Sequence, residues 1–226
     1  MEKKYKLYSF LLWLFFLTPI SLIALIFYYA SIGGFGDMLD LEVLENPKTN
    51  LASEVISSDG KTLGKYYFND NRTPVTFDEL PKHLVDALIA TEDIRFYSHS
   101  GIDFKRTFGA ALKLGKDGGG STITQQLAKL LFTGEGSRDI LERLTQKFKE
   151  YIIAVRLERH YTKDEIITQY LNLYDFGNNG DGIRSAARIY FGKEPIDLDI
   201  NAVSYTHLRA HETDSYIVCR LLLEKK

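Results

Sequence analysis

Two glutamates stand where a working carboxyl group would stand. Glu92 continues the helical stripe Val85, Leu88, Ile89, so its side chain is expected to point into the protein. A carboxyl group held away from water is a candidate proton acceptor or donor. The plain alternative is a helix-end carboxylate bonded to Arg95 or to the backbone. Glu150 is placed in the same way, with Ile153, Ala154 and Leu157 continuing its face and Lys147 one turn before it. It reads either as a second working acid or as half of a structural Lys147–Glu150 pair.

Between these two carboxylates lies a Gly118-Gly119-Gly120 run followed by Ser121 and Thr122. Such a run lets a backbone approach a phosphate at a helix N-terminus, or it is simply a flexible loop. It is not a Walker A loop, because Gly115-Lys116 is not followed by Ser or Thr. The helix expected after it has two faces, with Ile123, Leu127, Leu130 and Leu131 apolar and Thr122, Gln125, Gln126 and Lys129 polar. His83, His99 and His160 lack metal-ligand spacing and read as structural. Asp197-Leu198-Asp199 matches only a three-residue nucleotide-sugar string and is discounted.

The elements that must position these groups are mostly helical. A helix begins behind Pro81, and a long one from about 138 to 161 is nearly all apolar around Tyr151 to Leu157, so it should cross the core. Thr162 to Glu165 forms a capping box for the next helix. Ile183, Ala186, Ala187, Tyr190 and Phe191 make a stripe ended by Gly192. Asp59-Gly60, inside SEVISSDGKTLGKYYF, predicts a small β-hairpin at about 53–68.

Both ends of the 226-residue chain read differently. Leu7 to Phe35 contains no charged residue, which is long enough for one uncleaved transmembrane anchor, here residues 7–32. Lys3, Lys4 and Lys6 precede it and Asp37, Asp40, Glu42 and Glu45 follow it. The positive-inside rule then places residues 1–6 in the cytoplasm and everything after the anchor outside the cytoplasmic membrane, behind a connector at 33–50. At the other end, VSYTHLRAHET (203–213) and VCRLLLEKK (218–226) resemble one frame of a translated sequencing adapter. Residues 203–226 are therefore expected to be adapter-derived and to add no packed structure, which leaves a domain of 51–202 truncated at its C-terminus. Basic residues number 28 against 30 acidic ones, so no bulk positive field argues for nucleic acid. A single Cys excludes a disulfide framework.

The segments TEDIRFYSHSGIDF (91–104), GGSTITQQLAKLLF (119–132), QKFKEYIIAVRLE (146–158), YTKDEIITQYLN (161–172) and GIRSAARIYFGK (182–193) resemble, in order, the five motifs of the family 51 peptidoglycan glycosyltransferases. The resemblance implies a mainly α, lysozyme-like glycosyltransferase domain anchored in the bacterial cytoplasmic membrane, which polymerises lipid II into β-1,4-linked glycan strands and releases undecaprenyl pyrophosphate. It implies Glu92 as the general base and Glu150 as the second acidic position, acting on the leaving group directly or through a divalent cation, Mg or Mn. It implies substrate binding by Ser121, Thr122, Gln125, Gln126 and Lys129, with Lys147 and Arg156 as further cations. The implied partners are lipid II, the growing lipid-linked strand, the membrane and other cell-wall synthesis proteins.

Three positions depart from the family pattern: Leu130 replaces a usual Asn, Gln146 a usual Arg and Thr168 a usual Glu. The charge missing at Gln146 is one that Arg143 could restore. Two rival readings are a lysozyme-like lytic transglycosylase or hydrolase and an inactive membrane-tethered scaffold. The pair Glu92 and Glu150 together with the cationic second motif favours chemistry on a pyrophosphate over the hydrolase, and only the truncation and the three departures favour the scaffold.

Overall fold

The structure is a computed structural model that describes residues 2–34, 53–66, 72–112, 120–134 and 139–203. Most of the expected connector, and Gly118 and Gly119, lie outside those residues. The first element, helix α1 (Glu2–Ser31), contains the apolar stretch Lys4–Tyr29 of 26 residues. At about 1.5 Å per residue it is long enough for a hydrocarbon layer of roughly 30 Å. Near its end Phe27 meets the ring of Phe148 edge-on at 5.3 Å and lies near-parallel to Tyr151 at 6.4 Å.

Strands β1 (Ser53–Ile56) and β2 (Thr62–Tyr66) form the expected hairpin, antiparallel with Glu54 opposite Lys65 and Val55 opposite Gly64. Gly60 closes the turn at φ +81°, a conformation open to glycine at little cost.

The remaining helices are α2 (Lys82–Glu92), α3 (Phe104–Leu112), α4 (Ile123–Ala128), α5 (Ile140–His160), α6 (Lys163–Leu173) and α7 (Ile183–Phe191). Helix α4 is short but central, packed against α5 on one side and α6 on the other. Its Ile123 and Leu127 are fully buried, and they meet a core built from Ile153 and Leu157 of α5, Ile166, Ile167 and Leu171 of α6, and Ile183, Ala186 and Ala187 of α7. Each fully buried Ile or Leu contributes roughly 1.5–3 kcal/mol, so this stripe is what fixes α4 in place. The capping box at the head of α6 forms as its sequence requires, with the Thr162 N–H donating to Glu165 at 2.7 Å. Helix α7 stops at Gly192, which takes the left-handed conformation at φ +63°.

Two features differ from the sequence reading. Helix α3 has no counterpart there, because its large apolar residues Phe104 and Phe108 face outward and its stripe does not mark a core helix. Leu130, expected on the buried stripe of α4, is exposed. The reason is a change of winding: α4 runs into a π-turn, Lys129–Thr133, whose wider turn carries the side chains out of the register of the preceding α-helix.

Beyond α7 the chain forms a last helical turn at 200–203, where Ala202 and Val203 are buried. Val203 thus belongs to the packed part of the molecule, one residue past the boundary expected at 202. Residues 204–226 lie outside the described residues.

Candidate active site

Helix α2 delivers Glu92 as its last residue, because the backbone of Asp93 leaves the helical region at φ −155°. The carboxylate is buried as its stripe demands, at 5% exposure. Arg95, its expected neighbour, turns instead to Asp103 at 2.7 Å. The partner of Glu92 comes from α4: Gln126 Nε2 donates to Glu92 Oε2 at 2.7 Å. The Gln126 carbonyl oxygen in turn accepts from the phenol of Tyr170 on α6 at 3.0 Å. The guanidinium of Arg106 on α3 donates to the main-chain carbonyl of Glu92, one of the carbonyls a helix end leaves without an intrahelical partner.

The loop from Asp93 to Asp103 is pinned to the start of α4. Asp93, 1% exposed, accepts from the Ile123 N–H at 3.2 Å and from His99 Nε2 at 2.9 Å. The Gly101 carbonyl accepts from Thr122 Oγ1 at 2.7 Å and from Gln125 Nε2 at 3.2 Å. Gly101 has to be glycine, since its φ is +89° and a Cβ there would come within 2.8 Å of the Ala154 carbonyl oxygen on α5. Burial alone would push the Asp103 carboxyl up. The Arg106 N–H and the Arg95 guanidinium more than offset this and hold it below the usual carboxylate range.

Thr122 and Gln125 were expected on a substrate face. Both are fully buried and form the capping box of α4. As placed, their side chains tie α4 to the loop that follows Glu92, which leaves Gln126 as the member of the polar stripe that reaches Glu92. Lys129 is exposed at the first residue of the π-turn, three residues after Gln126.

The second carboxylate, Glu150, is buried at 4% exposure on α5. Lys147 Nζ lies 2.6 Å from Glu150 Oε2 and 2.8 Å from Ser121 Oγ, just before α4. The two glutamates are therefore joined to one short segment, with Ser121 reaching the Lys147–Glu150 pair and Gln126 reaching Glu92. Arg156 is half-buried and lies nine residues beyond Lys147, about two and a half turns, which puts it on the opposite side of α5. The structure does not bring it to this cluster.

Each carboxylate also faces a phenol. Burial, then the Glu150 charge, pushes the Tyr151 hydroxyl up. Burial, then Glu92 and Asp175, does the same for Tyr174. Tyr170 is raised most strongly, by burial first and then by Tyr174 and Glu92.

The donor set does not fit a protein-held divalent ion. Among the described residues no three His, Cys, Asp or Glu side chains converge, and the one carboxylate suggested for a metal, Glu150, already faces the ammonium of Lys147.

Sequence reasoning passed over Tyr170, Asp93 and Gly101. Tyr170 carried a usable signal, since a tyrosine on the apolar stripe Ile166, Ile167, Leu171 must find a buried partner for its hydroxyl. His83 and His99 are held as structural groups, the first with Nε2 2.7 Å from the Leu198 carbonyl.

A family profile described as Transglycosylase matches residues 59–215, and the chain belongs to that family. The match runs past residue 202. The chain is 40% identical over 190 residues to penicillin-binding protein 1F of Bacillus subtilis (strain 168), covering 81% of this chain and 26% of that protein. It is 39% identical over 170 residues to penicillin-binding protein 1A of Escherichia coli (strain K12), covering 73% of this chain and 19% of the relative. Penicillin-binding protein 1A of Vibrio cholerae serotype O1 is 36% identical over 197 residues, covering 83% and 23%. The chain thus spans about a fifth to a quarter of the length of these relatives.

Proposed function

We propose that the protein is a peptidoglycan glycosyltransferase that polymerises lipid II, with α1 as its membrane anchor, the N-terminus in the cytoplasm and residues 51–202 working at the outer face of the membrane. The observation that carries this reading is the convergence of two buried carboxylates and the Lys147 ammonium on one short segment, Ser121 to Gln126.

In the reaction, Glu92 accepts the proton of the acceptor's 4-hydroxyl as that oxygen bonds to the anomeric carbon of the lipid-linked donor. The anomeric C–O bond breaks with inversion, and the electron pair leaves with undecaprenyl pyrophosphate. Negative charge grows on that pyrophosphate, so a cation aimed at it lowers the barrier more than it strengthens ground-state binding. Lys147 serves this role, oriented by Glu150 and Ser121, and Lys129 supplies a second positive charge. Glu150 thereby acts through the ammonium it holds. Arg143, one turn before Lys147 on α5 and exposed, restores the charge missing at Gln146. A lysozyme-like hydrolase would need no such cationic pair.

The test is conversion of lipid II to gel-resolved glycan strands by the membrane-anchored protein and by Glu92→Gln. The amide keeps the shape but cannot take the proton, so a folded variant should lose activity by about 10²–10⁴-fold. Undiminished polymerisation by a folded Glu92→Gln would falsify the base assignment. Release of short muropeptides in place of polymer would favour the hydrolase.

A further inference from the structure

We infer that Tyr170 is a positioning residue for the reaction, whose phenol fixes the rotation of the Gln126 amide and through it the Glu92 carboxylate. This rests on the reading of Glu92 as the base.

An amide side chain carries one acceptor oxygen and one two-donor nitrogen, and nothing in its shape says which way round it sits. At Gln126 the sense is imposed by Glu92, whose ionised carboxylate can only accept, and Tyr170 holds the other end of the amide in place. The nitrogen donates to Glu92 at 2.7 Å, and the oxygen at the far end accepts from the Tyr170 hydroxyl at 3.0 Å. Turned over, the amide would set its own oxygen against an ionised carboxylate, two acceptors with no proton between them.

The lock requires that Tyr170 be a donor at every working pH and unable to swing away. Both conditions hold. Its hydroxyl is raised above the ordinary tyrosine range by burial first, and it is 3% exposed. Its ring is stacked at a tilt against Tyr174, with centroids 5.3 Å apart. Glu92 has around it Tyr170 from α6 and Tyr174 just after that helix, Gln126 from α4, and Arg106 of α3, whose guanidinium donates to the Glu92 carbonyl. Of these, the Gln126 amide donates to the carboxylate while Tyr170 holds it from the far end.

Loss of that hold makes the role visible in pH. A donor kept on a carboxylate favours its charged form, and an amide free to swing away withdraws that donor. Removing the phenol therefore costs rate and moves the acid limb of the pH profile upward. Substrate affinity changes little, because Tyr170 is buried behind Gln126.

The experiment measures lipid II polymerisation by the membrane-anchored protein as wild type, Tyr170→Phe, Gln126→Leu, the double variant and Glu92→Gln, with thermal unfolding of each. Phe keeps the ring and its packing, so the unfolding temperature should stay within a few degrees. The expected result for Tyr170→Phe is a kcat lower by about tenfold or more, KM within about threefold, and an acid limb displaced to higher pH. In the Gln126→Leu background the Tyr170→Phe change should have no further effect. An unchanged kcat and acid limb in folded Tyr170→Phe, beside an inactive Glu92→Gln, would overturn the role of Tyr170 alone. An equal loss with and without Gln126 would also overturn it. An active Glu92→Gln would instead remove the base assignment and this inference with it.

Discussion

The ammonium of Lys147 lies 2.6 Å from Glu150 and 2.8 Å from Ser121, so one side chain of α5 holds both a buried carboxylate and the approach to α4. The carboxylate is 5% exposed and the lysine 38%. Lys147 is thus a structural counter-ion as well as a candidate ligand for the leaving group.

Replacing Lys147 by Met should expose that double role. The variant leaves Glu150 buried without its bound cation, and stability should fall by about 1.5–3 kcal/mol, the range for a lost hydrogen bond to a charged group. Thermal unfolding would register this as a lower midpoint, and polymerisation should be lost beyond what the stability change explains. An unchanged midpoint would mean that Glu150 finds another partner.

Lys129→Ala should behave differently, because Lys129 is exposed and sits on a surface turn. The unfolding midpoint should hold. The defect should appear chiefly as a raised KM for lipid II, since the lost charge serves the pyrophosphate in both ground and transition states. A pure kcat defect would place Lys129 on the transition state alone.

Gly101→Ala is expected to be among the most damaging small substitutions. It puts a Cβ at φ +89° and 2.8 Å from the Ala154 carbonyl oxygen, with backbone on both sides of the clash. Strain of about 1–3 kcal/mol follows from the dihedral alone. Because Gly101 also anchors Thr122 and Gln125, activity should fall along with stability, which circular dichroism melting and the polymerisation assay would report together.

The Arg95–Asp103 contact gives the loop after Glu92 an acid-sensitive brace. Asp103 is held below its ordinary range in the folded state, so its contribution is present above the unfolded carboxyl value of about 4 and is lost as pH falls through the folded one. Wild type should therefore lose stability on acidification to a greater degree than Asp103→Asn, whose brace is already weakened at neutral pH. Parallel melts from pH 7 down to pH 3 that do not converge would refute this.

Much of this could be read from residue spacing. The stripe that ends in Glu92 and the one that begins at Glu150 are buried where their periodicity puts them, and Gly192 and the Thr162 capping box end and begin helices at the residues that carry those signals. The polar stripe of α4 was harder. Thr122, Gln125, Gln126 and Lys129 share a face by spacing, yet the first two turn to the Gly101 carbonyl and the third to Glu92. A polar side chain that satisfies a buried carbonyl more than twenty residues away looks, in sequence, the same as one that waits for a ligand. The π-turn that carries Leu130 outward is a second case, because hydrophobic periodicity assumes uniform winding. Helix α3 is a third, its exposed Phe104 and Phe108 inverting the usual core pattern.

The ring of Phe27 rests against Phe148 and Tyr151, and Phe148 lies between Lys147 and Glu150 in sequence. With α1 seated in a bilayer, this contact works as a depth gauge. It sets the height of the Lys147–Glu150 pair to within about one helical turn, roughly 5 Å, of where the anchor meets the domain. A pyrophosphate carried on a lipid is confined to a plane. On the proposed reading, the distance from that plane to the ammonium is written into the packing of three aromatic rings, so lengthening α1 by a turn would lift the proposed site off such a substrate without altering a single residue of it.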